Sequence, residues 1–382
     1  MASIYLDYNA TTPVAPEVVV AMLPFLREHF GNPSSAHTYA DAPRRAMAAA
    51  REDAAHLIGA RATEIVFTGS ATEANNLAIL GVARAWGHAR RHVVISAIEH
   101  PAVREPARRL QELGGSLTVV PVDEYGRVAP ADVAAALRSD TGLVTVMHAN
   151  NEVGTIQPIA EIAALAHRHG ALMHTDAAQS AGKLALDVDA LGVDLLTLAG
   201  HKFYAPKGIG ALYVRTGTPI TAVLAGAGQE RGLRPGTENI PQIVALGAAA
   251  RLARERLPET HARLRALRDR LHARLSQEIP GLALNGHPEQ RLPNTLNVSF
   301  PGVSGALLLQ RVADRVAAAT GSACHAGDAA PSGVLEAMGL SFERALGAVR
   351  LSVGHYTREA EIDAAAAALI AAWRELTITE HG

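Results

Sequence analysis

The feature that most restricts the fold is a series of short apolar, β-branched runs, at 65–68, 92–96, 117–122, 143–148, 172–175, 195–198 and 210–214. They are separated mostly by segments with helical spacing. Apolar runs with no polar face must be covered on both sides, and strands alternating with helices are the mark of an α/β domain with a mostly parallel sheet. Beyond about Pro241 the pattern becomes one long Arg-rich helix to Glu278, and strands return at 296–300 and 349–353 within a segment of mixed order. The expected organisation is a large α/β domain over 15–258, carrying a seven-stranded sheet, and a smaller α+β domain made of 1–14 and 259–382. The arm 6–13 is polar and turn-rich. A first helix is expected near Pro16, a loop at 30–37 and a second helix at 44–58.

Composition excludes several classes of function. A chain of 382 residues with 48% hydrophobic and 19% charged residues forms a substantial core and is not a disordered chain. A net charge of −2, with both signs mixed along the chain, leaves no electrostatic footprint for nucleic acid. The N-terminus lacks a basic and apolar leader, and the longest apolar stretch, 364–373, is far short of a bilayer span. The single cysteine excludes an intramolecular disulfide and suits a reducing compartment, with the cytoplasm as the simplest expectation. No nucleotide loop of the G-x-x-x-x-G-K-[ST] or G-x-G-x-x-G kind is present. No metal-ligand set is singled out.

Of the 35 basic residues only Lys183, Lys202 and Lys207 are lysines. Arginine does the ordinary surface work here, so a retained lysine suggests a task that needs loss of a proton, such as Schiff-base formation with a carbonyl. The plainer alternative is that all three are solvated loop residues. Lys202 follows the apolar run 195–198, and Asp176 ends the preceding run. In an open parallel sheet ligands bind at the carboxyl ends of the strands, so both side chains are expected at one pocket. A pyridoxal phosphate site needs such a pair, a lysine for the aldehyde carbon and a carboxylate for the ring nitrogen.

Other candidates follow the same topology. The segment from Gly69 to Glu73 lies between a strand and a helix, where free N–H groups favour an anion, and Thr72 adds a hydroxyl or serves as the helix N-cap. His100, the run Asn150-Asn151-Glu152 and Gln179 stand at strand ends, where an imidazole stacks or exchanges protons and an amide orients a ligand oxygen; with 17 histidines in the chain, the plainer reading of His100 is that it is incidental. Arg350 interrupts a late apolar strand, either to clamp a carboxylate or to face outward. Cys324 stands among Gly, Ser, Asp and Pro, a composition that promises an exposed and mobile thiol rather than a packed one.

Taken together, these segments resemble the cysteine desulfurase and selenocysteine lyase family of class V aminotransferase-like enzymes. The matches are Leu6 to Pro13, Gly31 to Ser35, Ala71-Thr72-Glu73, Glu99-His100, Asn150 to Gly154, Asp176 to Gln179, Gly200-His201-Lys202, Glu230 to Thr237, Gly321 to Cys324 and Arg350 to Gly354. The resemblance implies a PLP-dependent transferase type I fold. It implies that Lys202 holds pyridoxal 5'-phosphate as a Schiff base, that Asp176 pairs with the ring nitrogen and Gln179 with the ring hydroxyl, and that His100 stacks on the ring. Ala71, Thr72 and His201 would bind the phosphate, with Thr237 reaching in from the second subunit of a homodimer. Asn151 and Arg350 would hold the carboxylate of L-cysteine, and Cys324 would accept its sulfur as a persulfide for a thiol or an acceptor protein. Ala199 departs from the serine common at that position, and the segments 229–239 and 323–325 look closer to the selenocysteine lyase branch. A lyase acting on L-selenocysteine is therefore a second reading. A catalytically silent scaffold for sulfur transfer is a third, opposed by the intact Lys202, Asp176, Cys324 and Arg350. An aminotransferase of the same fold would have little use for Cys324 in such a loop.

Overall fold

The computed structural model of the chain describes residues 3–87, 89–320 and 332–379. Among these residues seven strands form one sheet, in the order Ile65–Thr68, Gly210–Val214, Leu195–Ala199, Leu172–Asp176, Thr141–Thr145, His92–Ser96, Ser116–Val120. Gly210–Val214 runs antiparallel to both its neighbours, and the other pairings are parallel. Alternate side chains enter two different cores. Val66, Val93, Ile95, Leu195 and Leu212 pack beneath helices Ala71–Trp86 and Pro101–Glu112. Ile65, Phe67, Val94, Met173 and Leu196 pack on the opposite face with Asp41–His56 and Ile159–Arg168. This period-two division explains why the strands read as unbroken apolar runs.

Two strands stop short of the ranges expected from sequence, at Val120 instead of 122 and at Thr145 instead of 148. Their apolar character continues because the chain passes from the sheet into another contact. Met147 joins Ile98, Val153, Leu335 and Met338 in a separate cluster between the strand ends and the C-terminal segment, and Val122 packs against it. The second helix begins earlier than expected, at Asp41, with Pro43 in its first turn, where a missing N–H costs nothing.

A second core is built on the antiparallel sheet Ala348–Ser352, Thr295–Ser299, Ala283–Asn285 and on helix Glu359–Thr379. The helix Ile240–Glu278 joins the two cores, with Pro258 inside it. Before the proline, Ile243, Leu246 and Ala250 enter the core of the large sheet; beyond it, Leu264, Leu271 and Leu275 enter the second core. The N-terminal arm likewise divides, with Leu6 in the second core and Ala15 in the first. Ile4–Tyr5 pairs with Val316–Ala317. The segment Asp7 to Thr12 therefore crosses from one core to the other over the carboxyl ends of interior strands of the large sheet. Among the described residues no helix is long and apolar enough to cross a membrane.

Candidate active site

The carboxyl ends of the parallel strands and the N-terminal arm enclose a cavity of about 880 Å³. Ala71, Thr72, His100, Asn151, Asp176, Gln179, His201, Lys202 and Arg350 all line it. They come from separate strand ends of the large sheet, except Arg350, which the second core supplies from strand Ala348–Ser352. Arg350 is 6% exposed and thus not an outward-facing strand residue. Its guanidinium donates to Asp7 Oδ1 at 2.7 Å and to the Asn151 carbonyl at 3.1 Å, while its Nε is buried without a partner.

Lys202 lies just beyond strand Leu195–Ala199, where the sheet ends in a single turn of 3-10 helix. Its Nζ donates to the carbonyls of Asn9 at 2.6 Å and Ala10 at 2.8 Å. Burial, followed by the charge of Arg350, pushes its pKa down to about 8, against the opposing pull of Asp176 and Asp7. About a tenth of such an amine is neutral at pH 7, against roughly four parts in ten thousand for an ordinary lysine. Of the other lysines, Lys207 is exposed and Lys183 is buried, so only one of the three is a solvated loop residue.

Asp176 is the last residue of strand Leu172–Asp176. Its Oδ1 accepts from the Ala178 N–H at 2.9 Å and its Oδ2 from Asn75 Nδ2 at 2.8 Å, bonds that hold the group as an acceptor. His100 Nδ1 accepts from the Ala102 N–H at 3.1 Å, which leaves the ring proton to Nε2. Partial desolvation lowers the His100 pKa, and Asp176 opposes that effect. His201 is pushed down to about 4, by burial first and then by the charges of Lys202, Lys207 and Lys183, so its imidazole is neutral.

At the far end of the cavity is the N-terminus of Ala71–Trp86, a helix of 16 residues. Ser70, rather than Thr72, is its N-cap, accepting from Glu73 N–H at 3.1 Å, because it is the residue that precedes the first helical position. Thr72 lines the cavity and takes no part in the cap. Glu73 binds back to the Gly69 N–H at 2.7 Å and pairs with Arg234 at 2.8 Å, fixing the turn from both sides. Gly210 permits the close approach of this turn to the sheet. A Cβ there would stand 2.7 Å from the Ser70 carbonyl carbon and 2.9 Å from the Ala71 nitrogen.

Residues 4–365 match the family model described as Aminotransferase class-V. The chain belongs to the class-V aminotransferase family. Cysteine desulfurase IscS of Dictyoglomus turgidum is 45% identical over 361 residues, covering 94% of this chain and 92% of that protein. Cysteine desulfurase IscS of Methanosarcina thermophila is 46% identical over 362 residues, covering 94% of this chain and 89% of its own. Among solved structures, a NifS-like protein superposes with a TM-score of 0.91 at 36% identity, covering 99% of this chain and all of that one. The structure described as SspA in complex with cysteine superposes at 0.83 and 39% identity, covering 93% of this chain and 100% of its own.

This class-V site also holds groups that sequence reasoning did not single out. Asn75 is wholly buried, but it stands between Glu73 and Asn76 in the polar first turns of its helix, so the sequence offered no signal that set it apart. Asn9, 1% exposed, accepts through its carbonyl from both Lys202 and Gln179, and its side chain reaches Thr295. Glu99, fully buried beside His100, accepts from Ser96 and Met147, and burial pushes its carboxyl up to about 8. Among the described residues, Thr237 is the one expected site residue that does not line the cavity. Thr237 is exposed, and Cys324 lies outside the described residues.

Proposed function

We propose that this chain is a pyridoxal-phosphate-dependent cysteine desulfurase that converts L-cysteine to L-alanine and leaves the sulfur as a persulfide on Cys324. The observation that carries this reading is the convergence of Lys202, Asp176 and Arg350 on one cavity, from two adjacent strand ends and the second core. The names of the curated relatives support it.

The residues present fit the cofactor. A turn that Gly210 allows to lie against the sheet presents a helix N-terminus to a phosphate, with Thr72 and the neutral His201 as further partners. Asp176, already held as an acceptor, would keep a ring nitrogen protonated, and Gln179 would face the ring oxygen. The bound cofactor supplies an electron sink that labilises bonds at the substrate's Cα and Cβ.

The chain's own groups do the rest. Arg350, with its unpartnered Nε, binds the substrate carboxylate beside Asn151. The lowered pKa of Lys202 lets its Nζ take up and return a proton near neutral pH. His100 lines the same cavity with its Nε2–H available for donation. Overall, one S–H thiol and L-cysteine become one persulfide and L-alanine, and a second thiol or an acceptor protein collects the outer sulfur. A homodimer, in which Thr237 serves the neighbouring phosphate site, suits the exposed Val20, Leu26, Phe30 and Tyr39, of which the last two are in ring contact at 5.8 Å.

The test is alanine release by the purified protein with pyridoxal phosphate, from L-cysteine and from L-selenocysteine, for the wild type and Cys324→Ser. Cys324→Ser is expected to bind cofactor normally and to release no alanine from cysteine. Wild-type rates in that variant would remove Cys324 as the acceptor, and a wild type active on selenocysteine alone would give the lyase reading instead.

A further inference from the structure

Lys183 is buried, 6% exposed, and the charges acting on it, from Lys202 and Arg350, are both positive. Burial and those two cations push its ammonium down to about 7, so its retention works against stability. It stands four residues after Gln179, on the same side of a turn, and donates to the Gln179 carbonyl at 2.9 Å and to Gln179 Oε1 at 3.2 Å. Gln179 Nε2 in turn donates to the Asn9 carbonyl at 3.0 Å, which also accepts from Lys202. An ammonium has donors only and a carbonyl oxygen accepts only. The amide between them has one allowed orientation: the reverse would set oxygen against oxygen at the Asn9 carbonyl and, in the charged form of Lys183, NH2 against ammonium. Nε2 uses one of its two hydrogens on Asn9, and among the described residues the other has no partner, which leaves it for a ligand.

We propose that Lys183 is a positioning residue that fixes the Gln179 amide with its NH2 toward the cavity, making Gln179 an obligate donor to an anionic ring oxygen of the cofactor. This rests on the reading of the cavity as a pyridoxal phosphate site. A backbone brace would need only the bond to the Gln179 carbonyl. The second bond, to Oε1, reaches the side chain that lines the cavity.

The experiment is a double-mutant cycle with Lys183→Met, Gln179→Leu and the double variant, reading pyridoxal phosphate affinity, the absorbance band of the bound cofactor and the thermal midpoint. Lys183→Met is expected to weaken affinity about tenfold, the scale of one hydrogen bond to a charged group, and to shift the band, with the thermal midpoint unchanged or raised. In the Gln179→Leu background it should do neither. Equal losses in both backgrounds, or an unchanged band and affinity in the single variant, would overturn the proposal. Should Lys183→Met fail to fold, Lys183→Gln, neutral but able to donate, is expected to lose less affinity than Gln179→Leu, and an equal or larger loss would count against it. A wild type that binds no pyridoxal phosphate would instead remove the functional reading beneath it.

Discussion

At the scale of single residues, the site is a set of protonation states set by burial and by neighbours. Lys202 is poised between charge and nucleophilicity because burial and Arg350 disfavour its ammonium while Asp176 and Asp7 favour it. The neutral amine is the reactive form, so reactivity should rise with pH through about 8 and level off above it. An ordinary lysine would do so near 10.4. Labelling the cofactor-free protein with an amine-directed reagent across pH, and following the Lys202 peptide by mass spectrometry, checks this. Arg350→Gln removes the largest charge acting against the ammonium and is expected to move the midpoint upward. A midpoint near that of an exposed lysine in the wild type, or a downward move in the variant, would contradict the assignment. Such states were not readable from sequence. Lys202 and Asp176 stood out by topology and scarcity, whereas Asn75 meets Asp176 across 101 positions of chain, and Lys183 was distinguishable from Lys207 only once one was buried and the other exposed.

At the scale of elements, the strands were legible because both faces of the large sheet are covered, and the misplaced ends at 122 and 148 were not, since Val122 and Met147 are apolar for a different contact. The loop geometry between Thr68 and Ala71 was legible only as an anion-site expectation. What makes it work is Gly210, on a strand distant in sequence and antiparallel to its neighbours. Gly210→Ala places a carbon 2.7 Å from the Ser70 backbone, a contact that cannot be relieved by a rotamer change. Overpacking of this kind costs about 1–3 kcal/mol, and the helix N-terminus must shift to relieve it. The expected outcome is a lower urea midpoint together with weaker binding of pyridoxal phosphate, measured by equilibrium dialysis. Unchanged values of both would show that the close approach is dispensable.

At the scale of the whole molecule, the cavity lies where two cores meet, and each contributes what the other lacks. The large sheet brings Lys202, Asp176 and the helix N-terminus; the second core brings Arg350; the arm from Asp7 to Thr12 crosses between them and ties Lys202 through Asn9. The sequence pattern pointed to the first of these from strand order alone. The role of the arm was hidden because its polar residues carry no periodicity, and their partners, Ser352, Thr295 and His201, are reached only in the folded chain. The central claim is that Lys202 is the amine that holds the cofactor. Its most direct test is reduction of the pyridoxal-phosphate-loaded protein with borohydride, followed by peptide mapping of the fixed adduct. The account predicts a single adduct on Lys202, lost in Lys202→Ala and in Lys202→Arg; an adduct on Lys183 or Lys207 in the wild type would contradict it.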